Sequence, residues 1–158
     1  MTAYWTSMDS PVGELLLVSG EDGLTRVAFA PFVAPSLEAT PDHPVLAAAR
    51  TQLGEFFAGR RESFDLPLAP PGSEFRQRVW ELLRAIPYGT TTTYGALART
   101  LGLTGHGARA VGMANGANPV AIVVPCHRVV GSDGRLTGYA GGLERKRTLL
   151  ALEHSALF

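Results

Sequence analysis

The sequence predicts an α+β protein in two parts, with strands gathered near the N-terminus and helices filling the second half. Short β-rich runs separated by turn residues occupy the first thirty positions. Apolar residues recur at helical spacing in several later stretches. The charge also changes sign between the halves. Residues 1–75 carry ten acidic groups against four arginines, a net of −6, and residues 76–158 carry four acidic groups against ten Lys or Arg, a net of +6. A chain of 158 residues is long enough for a real core, in one ordinary domain or two small ones.

The strand candidates are Tyr4–Met8, Glu14–Val18 and Leu24–Ala30. Between them, Ser10-Pro11-Val12-Gly13 and Gly20-Glu21-Asp22-Gly23 supply turn chemistry. A proline-rich connection over 31–44 leads into a helix from about Pro44 to Ala58, where Val45, Leu46, Ala49, Leu53, Phe56 and Phe57 share a face and Gly59 ends it. Phe64–Leu66 is a candidate returning strand. The run Pro67-Leu68-Ala69-Pro70-Pro71-Gly72 reads as a linker, dividing the chain into domains at 1–70 and 73–158.

The second domain opens on a predicted helix from Ser73 to Ile86, with Ser73 as its cap and Phe75, Val79, Leu82, Leu83 and Ile86 as its buried stripe. Pro87 stops it. After a loop at Tyr88–Thr92 comes a short helix, Thr93–Leu101, then a glycine-rich turn and a second short helix, Ala108–Gly116. Helix, tight turn and helix in a basic half is a helix-turn-helix pattern. Small residues dominate the second helix, although glycine costs about 1 kcal/mol against alanine there. They suit either tight packing on a neighbouring helix or close approach to a DNA minor groove, with Arg109 as the long side chain that reaches in. The basic half likewise suits a polyanion partner or a charge match between subdomains, and nine of its ten cations are arginine.

One cysteine stands in the chain, Cys126, within Val123-Val124-Pro125-Cys126-His127-Arg128-Val129-Val130. A single thiol forms no internal disulfide and anchors no multi-cysteine metal site. Inert burial among valines and chemical reactivity both remain open. Reactivity is favoured by the adjoining imidazole and guanidinium, which stabilise a thiolate. The N-terminus lacks the basic and apolar pattern of a secretory signal, and no uncharged apolar run reaches membrane-spanning length, so a cytoplasmic protein is expected.

The stretches Ser73–Gly89, Thr93-Tyr94, Ala108-Arg109-Ala110-Val111-Gly112, Ala117-Asn118-Pro119-Val120, Val124-Pro125-Cys126-His127-Arg128-Val129 and Gly138-Tyr139 through Glu153 together resemble the O6-alkylguanine-DNA alkyltransferases. The resemblance is strong over about residues 73–153 and weak before them. It implies a ribonuclease-H-like sheet ahead of the helical part, and a reaction in which a cysteine takes an alkyl group irreversibly from O6 of an extruded guanine. No cofactor is implied. The partner is double-stranded DNA bearing O6-alkylguanine, entered from the minor groove by a monomer, with cooperative binding left open.

By this resemblance Cys126 is the alkyl acceptor, His127 takes its proton through a bridging water, and Glu153 orients and charges that imidazole. Tyr94 donates a proton or hydrogen bond to the guanine ring at N3. Asn118 joins the DNA-reading helix to the active-site strand and holds the thiol's geometry. Tyr139 and Ala140, with Gly138, Gly141 and Gly142, form the loop over the base, and Val129 belongs to the same substrate-binding set. Arg109 fills the gap left by the flipped base, flanked by Ala108, Ala110 and Gly112 on the DNA-binding helix. Arg128 is expected to pair with an internal carboxylate. One cysteine cannot build the N-terminal zinc site of some relatives, and His43 and His106 are too isolated for another, so no metal is expected. Thr137 in place of a glycine, and Ala121 in place of a proline, imply weaker acceptance of O6-benzyl than of O6-methyl groups. Two other classes fit parts of this pattern. One is a non-catalytic binder of alkylated DNA, against which the presence of Cys126 argues. The other is a cysteine hydrolase using Cys126, His127 and Glu153.

Overall fold

The computed structural model describes residues 3–155. The chain forms two compact units, one comprising residues 1–71 with 119–123 and the other residues 72–118 with 124–158. Residues 119–123, which the sequence reading leaves within the second domain, therefore belong with the first.

In the first unit, β1 (Tyr4–Met8), β2 (Leu15–Ser19) and β3 (Leu24–Phe29) make an antiparallel sheet in sequence order. The register pairs Thr6 with Leu17 and Leu17 with Val27. Helix α1 (Pro44–Phe57) starts on a proline, which has no amide hydrogen to leave unsatisfied in a first turn. It buries Leu46, Ala49, Leu53 and Phe56. Each large apolar side chain so buried is worth about 1.5–3 kcal/mol. No strand forms at 64–66. The extended chain instead makes a single parallel bridge further on, between Leu24 and Leu68, with Leu24 N–H donating to Pro67 O at 2.8 Å. The 119–123 segment lies along β3, where Val27 N–H donates to Pro119 O and Ala121 N–H donates to Val27 O. It then turns at Ile122, whose φ of +72° is unusual for a β-branched residue.

In the second unit, α2 (Glu74–Arg84) is capped by Ser73, whose Oγ accepts from Arg76 N–H at 3.2 Å. It is shorter than predicted, with Ala85 already at the cap. Thr92–Thr93 forms β4 and pairs in parallel with β5 (Val129–Val130), a two-strand ladder absent from the sequence reading, which ends a loop at Thr92 and starts a helix at Thr93. Runs this short show no periodicity.

Helix α3 (Tyr94–Thr100) begins at Thr93, whose Oγ1 accepts from Ala96 N–H, and α4 (Gly107–Gly116) packs on it. The turn between them requires Gly107, because a Cβ there would lie 2.5 Å from Leu103 Cβ in that turn. On its other side α4 is tied to α2 by Trp80, whose buried Nε1 donates to Ala114 O at 2.9 Å. Helix α5 (Leu143–Ser155) closes the unit. Among the described residues no helix is long and apolar enough to cross a membrane.

Candidate active site and nucleic-acid interface

Pro125 leads into a single turn of 3₁₀ helix, Cys126–Arg128, that turns three consecutive polar side chains inward. Cys126 is only 5% exposed. Its backbone is held from both sides: Asn118 Nδ2 donates to Val124 O at 2.8 Å, and the buried Asn115 amide donates to Cys126 O at 3.4 Å. Burial pushes the thiol up from its ordinary value, against hydrogen bonds from Asn118 and Tyr139 and the positive charge of Lys146. The resting group is therefore a thiol. The thiolate that the local run suggested needs a base to form it, and the nearby cation is Lys146 where the sequence pointed to Arg128.

His127 and Glu153 are sealed from solvent, at 0% and 1% exposure, with His127 Nε2 lying 2.5 Å from Glu153 Oε2. Arg128 grips the same carboxylate, its Nε donating to Oε1 at 2.9 Å and its Nη2 to Oε2 at 3.0 Å. Its Nη1 donates to Ile86 O, and the guanidinium lies 5.6 Å from the Tyr88 ring centroid. Gly89 N–H also donates to Glu153 Oε1. Burial alone would raise the Glu153 pKa, but hydrogen bonds and charge from His127 and then Arg128 hold it below the usual carboxylate range. Burial lowers His127, and Glu153 offsets this only in part, so the imidazole rests neutral. Its Nδ1 is buried with no hydrogen-bond partner among the described residues.

Lys146 escaped the sequence reading. It is fully buried, donates from Nζ to Thr137 O at 3.0 Å, and lies 6.0 Å from the Tyr139 ring centroid. Burial lowers its pKa, while the cysteine opposes that shift. Burial, followed by the charge and hydrogen bond of Cys126, raises Tyr139 well above the ordinary phenol value, so its O–H stays a donor. A signal for Lys146 did exist: it is the chain's only lysine among thirteen arginines. Lysine is the cation whose charge state responds readily to burial. Asn115 gave no comparable signal.

Tyr94 opens α3 half-buried, and its hydroxyl accepts from Thr137 Oγ1 at 3.1 Å. Gly112 of α4 faces that ring, since a Cβ there would lie 3.7 Å from Tyr94 Cδ1. Val129 is buried in β5, Tyr139 is half-buried and Ala140 is exposed. Asn118, Tyr139 and Lys146 thus act on the sulfur of Cys126, His127, next to that cysteine in the chain, pairs with Glu153, and Tyr94 is linked to Lys146 through Thr137. Arg109 lies apart on the outer face of α4, with Ala108 exposed and Ala110 and Gly112 half-buried beside it, while Val111, Ala114 and Asn115 face inward. Among the described residues, no group of three or more His, Cys, Asp or Glu side chains is placed to hold a metal ion.

A buried thiol with an imidazole–carboxylate pair, in one unit with a helix-turn-helix, sets the class. Residues 3–70 match the family described as 6-O-methylguanine DNA methyltransferase, ribonuclease-like domain, and residues 74–155 match its DNA binding domain. The chain belongs to the 6-O-methylguanine DNA methyltransferase family. It is 50% identical over 151 residues to the methylated-DNA–protein-cysteine methyltransferase of Mycolicibacterium paratuberculosis, covering 94% of this chain and 91% of that one. The protein of the same name from Methanosarcina acetivorans is 46% identical over 157 residues, covering 96% and 99%. The crystal structure of Mycobacterium tuberculosis O6-methylguanine methyltransferase superposes with a TM-score of 0.87 at 46% identity, covering 98% of this chain and 94% of that one. Another structure from that organism, in complex with DNA, superposes with a TM-score of 0.86 at 47% identity, covering 97% and 94%.

Proposed function

We propose that this protein repairs alkylated DNA by direct reversal, moving the alkyl group from O6 of guanine onto Cys126 Sγ in one irreversible turnover. The observation that carries this reading is the buried relay beside the thiol. His127 donates through Nε2 to an ionised Glu153, leaving Nδ1 as a buried acceptor without a hydrogen-bond partner among the described residues. Neighbouring side chains in a chain do not readily hydrogen-bond directly, so a water between Sγ and Nδ1 is the sensible route for the proton.

In this mechanism the thiol proton passes through that water to His127, and the resulting imidazolium is paired with Glu153. The sulfur electron pair forms the S–C bond as the C–O6 bond breaks, and the electron pair of that bond leaves with guanine. Tyr94 stabilises the developing negative charge by donating toward N3. Arg128 and Gly89 fix Glu153, so the relay costs little reorganisation when charge moves. Asn118 holds the sulfur's backbone, while Tyr139, Ala140 and Val129 enclose the base. Helix α4 enters the minor groove of duplex DNA, with Arg109 filling the space of the extruded nucleotide and Ala108, Ala110 and Gly112 allowing close approach. The second half's net charge of +6 supports a DNA partner. The protein acts as a monomer and needs no cofactor.

The test is intact mass after incubation with duplex containing O6-methylguanine. One added methyl, mapped to Cys126 and formed once per protein, is the expected result. Tight binding with unchanged mass would instead mark a non-catalytic reader of alkylated DNA, and repeated product release without mass gain a hydrolase.

A further inference from the structure

Thr137 is fixed at three points. Its main-chain carbonyl accepts from Lys146 Nζ at 3.0 Å, and its hydroxyl donates to Tyr94 Oη at 3.1 Å. Its methyl lies over the Cα of Gly131, where an added Cβ would come within 3.2 Å of Thr137 Cγ2. A β-branched side chain has few χ1 rotamers, so seating the methyl also aims the hydroxyl.

The consequence falls on Tyr94. A phenol has one proton to donate, and an oxygen that accepts a hydrogen bond from Thr137 directs its own proton elsewhere. Accepting a bond also polarises the O–H and strengthens it as a donor. We propose that Thr137 is a positioning residue that presents the Tyr94 proton to the purine ring of the extruded base. Because Lys146 both holds Thr137 and acts electrostatically on Cys126, one network ties the group that stabilises the leaving base to the group that attacks the alkyl carbon. The proposal rests on the reading of Tyr94 as donor to the base.

The experiment is single-turnover methyl transfer from O6-methylguanine duplex, followed over a range of DNA concentrations. The full chain is compared with Thr137→Val, Thr137→Ser, Tyr94→Phe and the Thr137→Val/Tyr94→Phe double variant. Valine keeps the shape and loses the hydroxyl, so the limiting rate should fall about three- to tenfold with the half-saturating DNA concentration unchanged. Serine should restore the rate to within about twofold of the parent. In the Tyr94→Phe background, Thr137→Val should cost nothing further. A slow Tyr94→Phe variant alongside a fully active Thr137→Val would overturn the role of Thr137 alone. An equal loss from Thr137→Val with and without the phenol would do the same. Full activity in Tyr94→Phe would remove the donor reading of Tyr94 itself.

Discussion

His127 Nε2 and Glu153 Oε2 lie 2.5 Å apart with neither side chain open to solvent, and Arg128 bonds both oxygens of the same carboxylate. One carboxylate thus serves an acid–base group and a buried cation at once. Its loss therefore has two separable effects.

Glu153→Gln removes the charge that stabilises His127 as an imidazolium, so methyl transfer should slow by about a hundredfold or more. The same change leaves Arg128 as an unpaired buried cation, which should cost about 3–5 kcal/mol of stability. Single-turnover kinetics and urea unfolding check the two effects independently. A variant as active as the parent would remove the relay from the mechanism.

The pH dependence of stability follows from the same pair. His127 is held below its ordinary value, so below about pH 6.5 the unfolded chain takes up a proton that the native state refuses. Stability should fall as pH drops from that point toward the native His127 pKa. Glu153 is depressed as well, so its contribution is present above about pH 4.3 and is lost as pH falls through its native value. Thermal melts from pH 7.5 to 3.5 should show both losses, and His127→Gln should abolish the first.

Burial raises the Cys126 thiol while the Lys146 charge pulls it down. Alkylation of Cys126 by iodoacetamide should therefore accelerate with pH through the neutral range. Lys146→Met should displace that profile to higher pH. An unmoved profile would mean that the lysine charge does not reach the sulfur.

Arg109→Ala, on the exposed face of α4, should weaken binding to lesion duplex and slow its repair by about tenfold, because part of the flipping cost is no longer recovered. Reaction with free O6-alkylguanine base should be spared. Unimpaired duplex repair would show that Arg109 does not fill the gap.

Thr137 brings its side chain to within 3.1 Å of the Tyr94 hydroxyl, where a glycine would leave space. O6-benzylguanine should therefore inactivate the protein more slowly than O6-methylguanine does, measured as loss of transfer activity over time. Equal rates would show that position 137 sets no size limit.

The helices α1 to α3 were legible because Pro44, Ser73 and Thr93 mark their starts, and in α1 and α2 Leu46, Leu53, Val79 and Leu83 are buried as the apolar spacing required. Helix α5 was not legible as an amphipathic helix. Its buried face carries Lys146, Leu149 and Glu153, so two of its three inward positions are ionisable and no apolar period shows. The β4–β5 ladder depends on pairing residues 37 positions apart, Thr92 with Val129, which no local pattern encodes. Cys126 and the adjoining His127 stood out from the chemistry of their own run, whereas Glu153 was singled out only through motif resemblance. The protonated resting state of the thiol was not, because a string of residues does not display how deeply a sulfur is buried.

The path of residues 119–123 bears on how this protein can be cut. A fragment starting at Gly72 would carry Val120 and Ile122 away from the unit in which both are buried, leaving apolar side chains wet and the amide of Ala121 without the Val27 carbonyl. Severing the chain at its proline-rich midpoint therefore does not yield a self-sufficient catalytic half. Reassembly of two clipped pieces, or a circular permutant that keeps the crossing intact, is the sounder route to a minimal repair module.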